Sequence, residues 1–347
     1  MPSSPTSSSP TGLLLIQLGT PESPAIPDVR RYLREFLSDP RVLDMPGIAR
    51  FLLLNAIILP FRPKKSAEAY EKIWTAEGSP LTLHTAELTE QVQTILGEGY
   101  RVAFGMRYGN PPLAAAIEGL VDQGCSRLVV IPLFPQYASA SSGSALAKTF
   151  EIVGGRTNVP DVVTVGPFFD NPGFLQAAAD IAKPLLEDFA PDHILFSYHG
   201  LPESQIKKSD PSTAWCLGSA SCCDEVNSTN RSCYRAQCFA TTRGLIGLLN
   251  LEPGSFTTTF QSRLAGQRWI EPHTDTIMPK LTAQGVRRLA VLTPAFTADC
   301  LETIEEIGIR GKKQWAEAGG TELLRIPCVN ASSPWANAVA QMAQAAH

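Results

Sequence analysis

Eight short runs of nearly unbroken apolar residues, each followed by a longer stretch of helical periodicity, constrain the fold of this chain more than any other feature. They cover 13–19, 101–108, 127–134, 162–168, 193–198, 256–261, 288–296 and 322–328. A run such as Leu128-Val-Val-Ile-Pro-Leu-Phe134 has no polar alternation, so a strand built from it must be covered on both faces. Helices packed on both sides of a parallel sheet supply that cover, and the expected class is α/β, doubly wound. The segment Gln123-Gly-Cys-Ser-Arg-Leu-Val-Val-Ile-Pro is echoed by Gln284-Gly-Val-Arg-Arg-Leu-Ala-Val-Leu-Thr-Pro. Both read as a helix closed by glycine and then a buried strand stopping near a proline. The echo is either ordinary α/β punctuation or the trace of two similar four-stranded halves. In open α/β sheets, sites form at the carboxyl ends of strands, which directs attention to Gly19, Tyr108, Pro135, His199, Gln261 and Ala295.

With 347 residues the chain has room for two domains. The expected division is a tail at 1–11, a first half at 12–170, a second half at 171–330 and a C-terminal helix at 331–347 that packs back on the first half. The formal charge of −4 disfavours nucleic acid as a partner. The N-terminal Met-Pro-Ser-Ser-Pro-Thr-Ser-Ser-Ser-Pro lacks the basic start and apolar centre of a secretion signal and reads as disordered. No apolar run reaches the ~20 residues of a membrane span. A cytoplasmic location is therefore expected. The stretch 46–61, PGIARFLLLNAIILPF, is too short to cross a bilayer and is followed by Arg62, Lys64 and Lys65. It is either a buried core helix or an apolar lip that touches a membrane surface or grips an apolar substrate.

Three constellations carry chemistry. His199 leaves the strand 193–198 and meets Gly200-Leu-Pro202, a turn that presents its imidazole at the strand's end. A neutral imidazole there is a proton acceptor. Second, a helix starting near Thr297 would place Asp299, Glu302 and Glu306 on one face. Such a row is either a ridge that passes protons or holds a divalent cation, or a solvated helix start. Third, five of the eight cysteines fall within 216–238: Cys216, Cys222, Cys223, Cys233 and Cys238. In a reducing compartment clustered thiols are metal ligands rather than disulfides. Further polar residues, Arg107, Tyr108, Gln136, Tyr137, Gln261, Ser262 and Arg263, stand at other strand ends, where Arg and Tyr can meet carboxylates. The run Ala138-Ser-Ala-Ser-Ser-Gly-Ser144 lacks the spacing of a phosphate-binding loop.

Seven motifs in order then resemble one family. They are Leu18-Gly-Thr-Pro21, Gly78-Ser-Pro-Leu81, Met106-Arg-Tyr108, Pro135-Gln-Tyr137, Ser197-Tyr-His-Gly-Leu-Pro202, Phe260-Gln-Ser262 and Asp299-Cys-Leu-Glu-Thr303. Together, over about 12–330, they resemble ferrochelatase of the Gram-negative bacterial type, a lyase that inserts ferrous iron into protoporphyrin IX to form protohaem. The resemblance implies two Rossmann-like, chelatase-type domains, each with a parallel four-stranded sheet, and a porphyrin site between them. It gives His199 and Glu302 the central roles, at the substrate Fe²⁺ and in proton transfer, with Asp299 and Glu306 completing the ridge. It implies a porphyrin lining of Leu18, Arg107, Tyr108, Gln136, Tyr137, Ser197 and Tyr198, and makes 46–61 a porphyrin-gripping lip in peripheral contact with the inner membrane. Cys300 stands where the animal form has a second histidine and is left without a role. The segment 209–238 is an insertion relative to most bacterial members. Some ferrochelatases carry a [2Fe–2S] cluster, which implies Cys216, Cys222 or Cys223, Cys233 and Cys238 as its four thiolates; zinc is the physical alternative. A chelatase for coproporphyrin or cobalt, and a redox-sensing iron–sulfur protein on a chelatase scaffold, are the rival functions.

Overall fold

A computed structural model describes residues 9–263 and 266–346. Positions 1–8 of the expected tail lie outside the described residues; the first strand begins at Thr11. The first half contains β1 (Thr11–Thr20), α1 (Ile26–Ser38), α2 (Gly47–Leu52), α3 (Leu59–Glu71), α4 (Pro80–Leu96), β2 (Tyr100–Gly109), α5 (Leu113–Asp122), β3 (Arg127–Pro132), α6 (Ser144–Gly154) and β4 (Asp161–Thr164). The second contains α7 (Pro172–Phe189), β5 (His193–His199), α8 (Glu203–Lys208), α9 (Tyr234–Leu249), β6 (Phe256–Gln261), α10 (Thr274–Ala283), β7 (Arg288–Leu292), α11 (Lys312–Glu317) and β8 (Glu322–Arg325), and the chain closes with α12 (Ser333–Ala345).

Both sheets are parallel and four-stranded, ordered β2-β1-β3-β4 and β6-β5-β7-β8. The identical order explains the sequence echo: β3 and β7 occupy the same place in their sheets. Each follows a helix that ends at a glycine with positive φ, Gly124 (φ 85) and Gly285 (φ 94). Four of the apolar runs overshoot their strands. β3 stops at Pro132, β4 at Thr164, β7 at Leu292 and β8 at Arg325, and the apolar residues beyond them belong to loops. Pro132 and Pro294 have no N–H for a ladder, which limits two of these strands.

Leu13, Leu15, Val129 and Ile131 point to one side of the first sheet, and Leu14, Ile16, Leu128 and Val130 to the other; all are buried. The strand faces are thus covered on both sides, as their unbroken apolar pattern requires. The terminal helix α12 contacts α4 and α7, with Trp335 wholly buried against Phe168 and Phe174.

The carboxyl ends of the two sheets meet. Gln17 at the end of β1 donates to Thr297 Oγ1 at 3.2 Å, and Thr297 Oγ1 donates to the Leu133 carbonyl at 3.0 Å. The stretch 46–61 forms α2, a π-helical segment Leu53–Ile58 and the start of α3. One stripe of it is core, with Leu54 and Leu59 packed on Val29, Tyr32 and Leu37; the other is exposed, with Ile48, Phe51, Leu52, Ile57 and Phe61 facing outward.

Candidate functional site

His199 is the last residue of β5 and lies in register with Gln261 at the end of β6. Its ring is half-buried, and Nδ1 lies 2.7 Å from the Gly200 carbonyl oxygen. A carbonyl only accepts, so Nδ1 carries the hydrogen, and the nitrogen left to accept a proton is Nε2. The turn is held tightly. The Gly200 N–H donates to the Gln261 carbonyl at 2.7 Å, and the Tyr234 hydroxyl donates to the His199 carbonyl at 2.8 Å. A Cβ on Gly200 would sit 2.7 Å from the Gln261 oxygen, so the turn has no room for a side chain there.

The acidic segment differs from the expected α-helical face. The helix starts at Leu301 rather than Thr297, and Glu302–Gly311 is π-helical. Asp299 precedes it. Its carboxylate accepts from Arg325 Nη1 at 2.5 Å, Thr303 Oγ1 at 2.8 Å and Asn330 Nδ2 at 3.1 Å. Asp299 is therefore buried, tied to Arg325, Thr303 and Asn330, and off the helix that carries Glu302 and Glu306. The correction follows from partners distant in sequence that helical spacing does not reveal. Glu302 and Glu306 remain. Glu302 accepts from the Cys300 thiol at 3.1 Å, and Glu306 accepts from the Ser262 N–H at 2.9 Å and the Ser262 hydroxyl at 2.5 Å. Burial pushes the Glu306 carboxyl above the usual range; Ser262, Arg310 and His199 oppose that push, and Glu302 adds to it. A buried carboxyl of raised pKa, close enough to feel His199, can take up and release protons.

Across from Glu302 stand two tyrosines that the sequence reading missed, Tyr32 and Tyr70, packed edge-on with ring centroids 6.4 Å apart. Burial raises both hydroxyls well above the ordinary value, and the Glu302 carboxylate raises them further, so both stay neutral. Their helical spacing made them read as core, which they also are. Leu18 borders the same cluster together with Leu301 and Ile304.

The remaining expected lining residues divide. Tyr137 is half-buried, and its N–H donates to Gln237 Oε1 at 2.6 Å. Arg107 donates to Asp39 Oδ2 at 2.8 Å and Ser144 Oγ at 2.7 Å, with its guanidinium 4.3 Å from the Tyr108 ring centroid. The Tyr108 hydroxyl donates to the same Asp39 oxygen at 2.8 Å from a position 1% exposed. Gln136 is buried and donates to Thr241 Oγ1 and the Pro294 carbonyl. Ser197 bonds Gln261 and Thr274, and Tyr198 meets Thr242 at 2.9 Å, both in the core. Tyr108, Gln136, Ser197 and Tyr198 are thus buried, with their side chains bonded to other parts of the protein.

All five cysteines of the insertion are buried. Asp210 builds the loop: its carboxylate accepts from the N–H groups of Cys216 at 2.7 Å, Trp215 at 2.9 Å and Ser212 at 2.9 Å. These bonds, led by that of Cys216, hold its pKa at about 2. Asn230 Nδ2 donates to the carbonyls of Cys222 and Glu225. The Cys222 and Cys223 sulfurs lie 3.6 Å apart, and Cys233 borders both Cys216 and Cys223. Arg235 Nη1 donates to the Cys223 sulfur at 3.2 Å. Burial raises the thiols of Cys216, Cys222 and Cys238, and the contact with Cys233 followed by burial raises Cys223. Among the described residues no three His, Cys, Asp or Glu side chains are already arranged around a single ion.

The family model for ferrochelatase matches residues 10–347. A ferrochelatase of Coxiella burnetii (strain CbuK_Q154) is 45% identical over 333 residues, 96% of this chain and 93% of that protein. One from Legionella pneumophila (strain Corby) is 44% identical over 328 residues, 94% of this chain and 97% of that protein. Among solved structures, SirB from Bacillus subtilis with Fe³⁺ superimposes with a TM-score of 0.55 at 11% identity, covering 96% of this chain and 94% of that one. The sirohydrochlorin chelatase SirB in complex with cobalt gives 0.54 at 9% identity, with the same coverage. At such identities the likeness is one of fold.

Proposed function

This chain belongs to the ferrochelatase family and inserts iron into a porphyrin to make haem, and we propose that its porphyrin is protoporphyrin IX, with His199 as the base that takes the pyrrole protons. The reaction is a lyase-type metallation: one Fe²⁺ enters, and two N–H protons leave to solvent. The His199 turn carries this reading. Nδ1–H is bound to the Gly200 carbonyl, and Nε2 is left as the acceptor on a ring close enough to influence Glu306. A proton taken at Nε2 passes to Glu306, whose raised pKa suits it to receive and return one. Glu302, held by the Cys300 thiol and facing Tyr32 and Tyr70, is the carboxylate placed to meet the Fe²⁺ substrate with His199. The exposed apolar stripe of 46–61, next to Arg62, Lys64 and Lys65, supports a role in gripping the macrocycle and resting on an anionic membrane surface. Among the described residues no helix is long and apolar enough to cross a membrane. Anaerobic assays pairing Fe²⁺ or Co²⁺ with protoporphyrin IX, coproporphyrin and sirohydrochlorin test the substrate. The loss of porphyrin fluorescence is expected to be fastest with Fe²⁺ and protoporphyrin IX, and faster turnover of another pair would refute the assignment.

The cysteine loop fits a [2Fe–2S] cluster in donor chemistry. Five buried thiols lie in this one segment, with Cys233 bordering both Cys216 and Cys223 and the Cys222 sulfur beside that of Cys223. A two-iron cluster needs thiolates in two pairs rather than three or more about one point. Cys216, Cys233, Cys238 and one of Cys222 and Cys223 would hold it. When bound it supplies one-electron chemistry, which porphyrin metallation does not use, so its place is accessory. Freshly purified protein is expected to absorb in the visible with iron and sulfide in equal amounts, and Cys238→Ser to lose that absorbance. A colourless protein with one zinc per chain would overturn this reading.

A further inference from the structure

The first turn of α9 touches the cysteine site and the His199 turn at once. Cys233 caps this helix and borders Cys216 and Cys223. Tyr234, next in sequence, is buried, and its hydroxyl donates to the His199 carbonyl at 2.8 Å. The same hydroxyl borders the Cys238 thiol one turn further on. Arg235 makes the second bridge. Its Nη1 donates to the Cys223 sulfur at 3.2 Å, while Nε and Nη2 donate to the Glu271 carbonyl at 3.4 and 3.3 Å. Glu271 follows Trp269 and Ile270, which pair with Pro202 and Leu201, the residues that complete the His199 turn. The Phe239 ring lies 4.7 Å from the Arg235 guanidinium and fixes its plane.

We infer that this helical turn couples the cysteine site to iron insertion, with Tyr234 as the positioning residue that sets the His199 turn. The inference rests on the readings of His199 as the proton acceptor and of the cysteines as a metal site. Drawing four sulfurs onto a metal fixes Cys233 and Cys223, and with them the backbone and side chain of the residues between which Tyr234 lies. The carbonyl of His199 then has a donor of fixed position, and so does the segment paired to Leu201 and Pro202. A disordered cysteine site leaves both ties loose, and a base misplaced by a fraction of an ångström loses rate without losing substrate.

The test is a double-mutant cycle on the full-length protein, using Tyr234→Phe and Cys216→Ser, the latter lying outside α9. Amide exchange across residues 199–202, kcat and KM for protoporphyrin IX are measured in each. Each single variant is expected to speed exchange and lower kcat by about fivefold, the weight of one buried hydrogen bond, with KM unchanged. The double variant is expected to be no worse than the larger single effect. Where Cys216→Ser does not fold, Arg235→Met takes its place, since it keeps every thiol and cuts only the ties to Cys223 and Glu271. Wild-type exchange and kcat in Tyr234→Phe, or effects that multiply in the double variant, would overturn the coupling. A His199→Ala control that keeps its kcat would remove the proton-acceptor reading beneath it, and a wild-type protein without bound metal would remove the cysteine reading.

Discussion

Replacing His199 by alanine is expected to lower kcat for haem formation by about a hundred- to ten-thousandfold, with KM for protoporphyrin IX nearly unchanged. The ring is only half-buried at a strand end and makes one side-chain hydrogen bond, to its neighbour's carbonyl. Its loss therefore frees a single acceptor, the Gly200 carbonyl, and the fold should survive. What disappears is the acceptor at Nε2, a group that matters only as pyrrole N–H bonds break. A lost interaction of that kind appears in kcat rather than in binding. Rates of haem formation under anaerobic conditions, with circular dichroism to verify folding, check it. A variant within a few-fold of wild type would exclude His199 as the base.

The second large effect falls on stability. Asp39→Ala is expected to cost about 3–5 kcal/mol, read from the urea midpoint at neutral pH, because it strands the Arg107 cation in a largely buried position. The same carboxylate oxygen also accepts from Tyr108 and Ser144. Burial by itself would raise the Asp39 pKa. Ser144, the Arg41 N–H, Tyr108 and the Arg107 charge outweigh it and hold the carboxyl below its usual value. A depressed folded-state pKa stabilises the protein above the ordinary carboxylate range, and that contribution fades as pH falls through the folded value. The deficit of Asp39→Ala relative to wild type should therefore be full at pH 7 and shrink below about pH 4. Equal midpoints at neutral pH would contradict the role given to this network. Asp39 caps α1 ahead of the lip at 46–61, so the variant should also loosen the element that grips the porphyrin.

The strands were legible because unbroken apolar runs have few alternatives, and the two halves because glycine-closed helices precede equivalent strands. Strand ends were not, since apolar residues such as Leu133, Phe134 and Phe168 continue into loops where they still pack. The π-helix escaped notice because Leu301, Ile304 and Ile307 have spacing that an α-helix would share. Asp299 read as a member of the acidic row because its partners, Arg325 and Asn330, lie about 26 and 31 positions away. His199 was visible from turn chemistry, and the cysteines from density alone. The ties between them, made by Tyr234 and Arg235, depend on how the insertion folds back on β5 and leave no mark in local sequence.

The claim that His199 Nε2 accepts the pyrrole protons is tested most directly by adding imidazoles to the His199→Ala protein during anaerobic Fe²⁺ insertion. The rate of haem formation is predicted to rise with imidazole concentration, and to rise more with more basic imidazoles, while the wild-type rate stays flat. A variant rate indifferent to every imidazole would contradict it.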